Sequence, residues 1–117
     1  MAYALLVMEP PGQRSTRSEA EGHEAYGRMV GFSEDLKRRG LLAISQSLRT
    51  GPADARIKMR GDSASIVDGP FAEAKEVIGG FFLLTCDTRE EAIEIARACP
   101  AAQWATIEVR ELGPCFT

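Results

Sequence analysis

The sequence predicts an α+β domain of the ferredoxin-like kind, a split βαβ unit repeated once with a β-hairpin inserted. Three observations lead there: apolar runs of strand length, two stretches of helical periodicity each introduced by a capping pair, and turn-rich breaks between them. Together they give the order β, α, β, hairpin, β, α, β. The 117 residues amount to a single domain, 1–117, and folding at that size hides roughly two thirds of the surface of the unfolded chain. Hydrophobic residues make up 44% and charged residues 26%, the balance of an ordinary globular protein.

Residues 2 to 8 are a nearly continuous apolar run, as a central strand requires. The run lacks a charged leader and a cleavage-like segment, so it reads as a strand and not as a targeting signal. Pro10, Pro11 and Gly12 then open a surface loop over 10 to 16. Ser18 and Glu21 have the capping-box spacing, and Ala25, Met29, Phe32 and Leu36 recur at helical intervals, which predicts a helix over about 19–39 with Gly40 as its left-handed cap. The basic run Lys37-Arg38-Arg39 falls in its last turn, where cations complement the helix dipole.

Residues 41 to 48 read as a second strand. Strands over 55–59 and 63–67 follow, joined at Gly61-Asp62 into a hairpin that stands away from the main sheet, and the alternation of Ile57 and Met59 with Arg56, Lys58 and Arg60 predicts one wet face. Residues 77 to 86 form the strongest strand, with Gly79-Gly80 marking a bulge or a close backbone approach. Thr88 and Glu91 repeat the capping spacing, Ala92, Ile95, Ala96 and Cys99 line one helix face, and Pro100 stops that helix. A last strand is expected over 104–111. Right-handed crossovers put both helices on one face of the sheet, so the other face is left bare and calls for a homodimer stacked sheet to sheet.

Composition also narrows the function. With 14 basic and 17 acidic side chains the net charge is -3, which gives no field to draw a nucleic-acid backbone. No stretch has the length of a bilayer-spanning helix, so no membrane partner is expected. Cys86, Cys99 and Cys115 are three scattered thiols without a C-x-x-C spacing, which suits a reducing cytoplasm and no disulfide framework. One histidine without an acidic cluster supplies too few ligands for a metal, and no cofactor is expected.

The block Asp68-Gly69-Pro70-Phe71-Ala72-Glu73-Ala74-Lys75-Glu76, followed by Ile78-Gly79-Gly80-Phe81-Phe82, resembles the DGPF proteins, a branch of the YCII-related family. The likeness runs from Tyr3-Ala4-Leu5-Leu6 through Cys99-Pro100-Ala101-Ala102 to Ile107-Glu108-Val109-Arg110. It implies a dimeric α+β barrel. It also implies kinship with domains associated with extracytoplasmic-function sigma factors, and more distantly with a dehydrochlorinase acting on chlorinated hydroxyquinols. The enzymatic relatives use a histidine and aspartate pair; here Asp68 opens the matching motif, His23 lies outside it, and Ala74 replaces a hydroxyl residue.

Each candidate residue has a plain reading beside a chemical one. Asp68 before Gly-Pro can clamp a tight turn, or act as a base at the mouth of a cleft. Lys75 between Glu73 and Glu76 can be a solvated ion-pair patch, or an anion handle oriented by Glu76. Phe71 is expected as a core anchor in either case. His23 has the ordinary pKa of a general base but sits beside Glu21 and Glu24 in a first helical turn. Tyr3, Tyr26 and Trp104 are candidates for an aromatic lining. These residues support a small-molecule binding protein with a regulatory role, with a cleft near Asp68, Phe71 and Lys75. The alternatives are a cofactor-independent lyase-type enzyme using Asp68 or His23 as base, and a protein interaction module.

Overall fold

In the computed structural model, which describes residues 2–71 and 73–116, the chain runs through β1 (Tyr3–Glu9), α1 (Glu19–Arg38), β2 (Leu42–Ser47), β3 (Ala55–Arg60), β4 (Ser63–Asp68), β5 (Val77–Leu84), α2 (Arg89–Ala98) and β6 (Thr106–Glu111). Ala72, inside the DGPF block, lies outside the described residues. Two 3-10 turns, Gln13–Thr16 and Pro100–Gln103, were not foreseen. The second turn shortens the last strand, because Trp104 caps it and β6 begins only at Thr106.

Both helices start where their caps stand. The Ser18 hydroxyl accepts the Glu21 N–H at 3.1 Å while the Glu21 carboxylate accepts the Ser18 N–H at 2.9 Å, so two orphan donors are satisfied reciprocally. Gly40 closes α1 at φ 68°, a conformation that a residue with a Cβ rarely adopts. At α2 the Thr88 hydroxyl accepts the Glu91 N–H, but the Glu91 carboxylate reaches back to the Asp87 N–H, one residue beyond the cap.

Four strands form one antiparallel sheet in the order β2-β5-β1-β6, with the two apolar runs at its centre as expected. Alternation then divides the side chains between two faces. Tyr3, Leu5 and Val7 of β1 and Phe82 and Leu84 of β5 point to the helices and meet Leu36 of α1 and Ala92, Ile95 and Ala96 of α2 in one core. Phe32 packs edge-on against Phe82, with centroids 5.4 Å apart. Cys86 and Cys99 are fully buried in this core and Cys115 is exposed. The register slips between Val7 and Met8 opposite Gly79, which is the bulge that the paired glycines predict.

The other sheet face carries Leu6 and Met8 of β1, Ile78, Phe81 and Leu83 of β5 and Ile44 of β2. Both helices pack on the opposite side, and Ile44 and Ile78 are exposed. The polar residues Thr106, Glu108 and Arg110 of β6 edge this apolar field.

The inserted hairpin differs from its sequence pattern. β3 and β4 pair in register from Ala55 opposite Asp68 to Arg60 opposite Ser63, yet every residue of both strands is exposed, so neither face is dry within the chain. Alternation does order the side chains, but among the described residues no element of the same chain lies against the apolar side. The hairpin projects as an arm: the Cα radius of gyration is 16.1 Å, against about 13 Å for a compact chain of this length.

Candidate functional site

Between α1 and the sheet lies a cleft of about 600 Å³, within the range of small-molecule sites. Its origin is small residues facing small residues. Along the sheet-facing stripe of α1, Gly22, Ala25 and Ser33 replace the bulky side chains that fill the other half of the helix, and opposite them stand Gly79 and Gly80 of β5 and Ser45 and Ser47 of β2. Close packing therefore fails locally, and the space is bounded by Met29, Val7 and Phe82. The Ser33 and Ser45 hydroxyls, 3.2 Å apart, tie helix to strand across it.

One end of the cleft is charged. Glu9 follows Tyr3, Leu5 and Val7 in the inward phase of β1 and is only 5% exposed. Its carboxylate is paired with Arg14 at 2.8 Å. The same guanidinium donates to the Leu48 carbonyl and to the Gly79 carbonyl, each at 2.7 Å, so all three of its nitrogens are engaged. A Cβ on Gly79 would collide with the Glu9 carboxylate and lie 2.8 Å from the Arg14 guanidinium, so the glycine lets this pair sit against the strand.

Aromatic groups flank that end. Trp104 accepts a bond at its carbonyl from the Gln13 carboxamide at 2.6 Å, and two guanidiniums lie over its ring, Arg17 at 5.5 Å and Arg28 at 5.3 Å from the ring centroid. Arg17, Trp104 and Tyr26 line the cleft. Among the described residues no carboxylate comes within ion-pair distance of Arg17, although the Glu21 charge acts on it from farther off, so its N–H donors are not taken up by an ion pair.

The residues singled out from the sequence stand elsewhere. His23 is exposed on α1, one position round from the cleft-lining Gly22. Tyr3 is in the core, where burial pushes its phenol up from the usual value. Asp68 is exposed at the end of β4, and the turn clamp expected of it is supplied by Asp54 instead. The Asp54 carboxylate accepts the Gly51 N–H at 3.1 Å and its carbonyl accepts the Gly69 N–H at 2.6 Å. Phe71 is half-buried beneath the Arg56 guanidinium, 3.9 Å from the ring centroid, and so anchors the base of the arm and not the core. Glu73 pairs with Arg56 at 3.4 Å and leaves Lys75 and Glu76 exposed, so the ion-pair patch expected around Lys75 is centred on Arg56. None of these residues lines the cleft, whereas two of the three aromatic candidates, Tyr26 and Trp104, do.

Glu9, Arg14 and Arg17 were missed. Glu9 was legible, since strand alternation from Tyr3 turns it inward and an inward carboxylate requires a partner. Arg14 and Arg17 lie in and after a 3-10 turn whose path no periodicity reveals. Among the described residues no three side chains of His, Cys, Asp and Glu gather as metal ligands would, and no helix is long and apolar enough to cross a membrane.

Comparison with known proteins gives likenesses of three kinds. The sequence model of the YCII-related domain matches residues 1–115. An uncharacterised protein of Rhizobium meliloti (strain 1021) is 30% identical over 115 residues, covering 97% of this chain and 93% of its own. The solved structure of 5-chloro-2-hydroxyhydroquinone dehydrochlorinase from Burkholderia phenoliruptrix AC1100, in complex with 2,5-dihydroxybenzoquinone, matches with a TM-score of 0.57 over 97% of this chain and 94% of that one. At 12% identity that likeness concerns the fold alone.

Proposed function

This chain belongs to the YCII-related domain family, and we propose that its α1–sheet cleft binds a small planar anion. The observation that carries this reading is Arg17, a cation over the Trp104 ring at the cleft wall that forms no ion pair at contact distance among the described residues. A flat ring fits beside the indole, its negative group against the guanidinium, with the Ser33 and Ser45 hydroxyls as further partners. The Glu9–Arg14 pair is fixed by its own bonds and shapes the end of the site. That the dehydrochlorinase sharing this fold was solved with a dihydroxybenzoquinone is consistent with a planar ligand. A thermal-shift screen of aromatic carboxylates and phenols against the purified chain tests the reading, since a ligand of the native state alone raises stability by mass action. Arg17→Ala should weaken any hit about tenfold or more, the loss of one charge-assisted bond. A screen without hits, or hits indifferent to both Arg17→Ala and Trp104→Ala, would refute it.

The family's dimeric barrel is part of the same reading. The apolar field of Leu6, Met8, Phe81 and Leu83 is the seat we assign to a twofold-related copy, because a bare sheet face of this kind is costly in water. Leu6→Lys should then convert a dimer to a monomer in sedimentation velocity, and a wild-type chain that sediments as a monomer at high concentration would refute the assignment.

A further inference from the structure

We propose that the β3–β4 arm of one copy clasps a second copy of this chain, laying its apolar side over the outer rim of that copy's cleft. This goes beyond stacked sheets, because each cleft would be bordered by residues of two chains, and it holds whatever the cleft binds.

The arm has two unlike sides. Ile57 opposite Ile66 and Met59 opposite Ala64 form one; Arg56, Lys58 and Arg60 rise from the other. Ile57 is 68% exposed, Ile66 65% and Met59 53%, so the apolar side is wet along its length. A two-stranded ribbon is marginal by itself and gains independent stability when something packs on it. Its base is nevertheless held firmly. The Gly69 N–H bonds the Asp54 carbonyl so closely that a Cβ on Gly69 would come within 2.6 Å of the Asp54 Cβ, and Arg56 stacks on Phe71 while pairing with Glu73. The arm is thus held out from the chain, ready to meet a surface.

A second copy offers a matching one. The rim of the cleft exposes Tyr26 and Val30 of α1 and Ile44 and Leu48 at the free β2 edge, an apolar border left exposed among the described residues. Ile44 belongs to this rim and to the bare sheet face alike, so the rim continues the face on which a second copy is proposed to sit. Charge agrees: Arg56, Lys58 and Arg60 all rise from the other side of the arm, so its apolar side meets the rim with none of the β3 cations turned against it. Size agrees as well. Four strands about 4.8 Å apart and about 20 Å long make a face of roughly 400 Å², half of the roughly 800 Å² per partner of a standard interface. The arm supplies surface toward the difference, and twofold symmetry applies the contact twice.

The test uses full-length chains with Cys115→Ser, which leaves only buried thiols. One preparation carries Met59→Cys or Ile57→Cys, the other Val30→Cys or Leu48→Cys; they are mixed, exchanged and mildly oxidised. The expected product is a disulfide joining an arm of one preparation to a rim of the other. In parallel, Ile57→Asp with Ile66→Asp should weaken the dimer about tenfold or more while the monomer stays folded, as loss of an interface anchor does. The proposal is overturned if no arm-to-rim pair links between chains, if links form only between like positions, arm to arm or rim to rim, or if the double variant dimerises like the parent, as it would were the arm reserved for another protein. Cross-linking without any ligand hit would sink the ligand reading and leave this one standing.

Discussion

Gly79 shows how much of the site depends on a missing methyl group. Its Cα lies against a buried ion pair, so Gly79→Ala must displace the Glu9 carboxylate from the position where Arg14 holds it. Overpacking of this kind costs about 1–3 kcal/mol, and urea unfolding of the variant should show a midpoint lowered accordingly with an unchanged slope. The glycine pair was readable as a bulge from the sequence, but its reason was not. The reason lies in Glu9, seventy residues away, and in a guanidinium delivered by an irregular turn. Asp68 teaches the converse. Its motif drew attention, yet the clamp at the base of the arm is Asp54, whose bonds to Gly51 and Gly69 connect two loops that sequence spacing cannot bring together.

At the scale of elements, the helices were the most legible part, because their start signals act within three residues. Ser18→Ala removes the acceptor of the Glu21 N–H and should cost about 1 kcal/mol, read as a lowered melting temperature. The partner carboxylate adds a pH signature. Bonds from the Ser18 backbone and side chain hold the Glu21 pKa below the usual carboxylate value, so its contribution is present above about pH 4.5 and is lost as pH falls through the lowered value. Glu21→Gln should flatten that acid limb. The arm was legible as a hairpin but not in its surroundings: alternation at Ile57 and Met59 signals a dry face, and within one chain that face has nothing to dry it. The cleft was illegible for the opposite reason. It is made by small side chains of α1, β2 and β5 meeting in space, and each of those residues alone is unremarkable in its own element.

For the molecule as a whole, the antiparallel order β2-β5-β1-β6 with both helices on one face follows from patterning and handedness; of the residues expected from helical periodicity, Leu36, Ala92, Ile95, Ala96 and Cys99 are in the core and Met29 and Phe32 pack against it, while Ala25 lines the cleft. That core also sets an alkaline limit. Burial raises the pKa values of Cys86 and Cys99 above the usual 9.0 and that of Tyr3 above 10.0. The unfolded chain therefore ionises first, the native state holds more protons, and stability is whole below about pH 9 and declines as pH rises through the raised values. Thermal melts should fall above pH 9, and Tyr3→Phe should remove the part of that fall that sets in above pH 10. A last consequence concerns Arg14, whose single side chain ends on a carboxylate of β1, on the Leu48 carbonyl just past β2 and on the Gly79 carbonyl of β5. Three segments remote along the chain are joined at one planar group. Whichever of them frays leaves one nitrogen of the guanidinium without its partner, so the opening of each segment is resisted at a group that the other two hold in place.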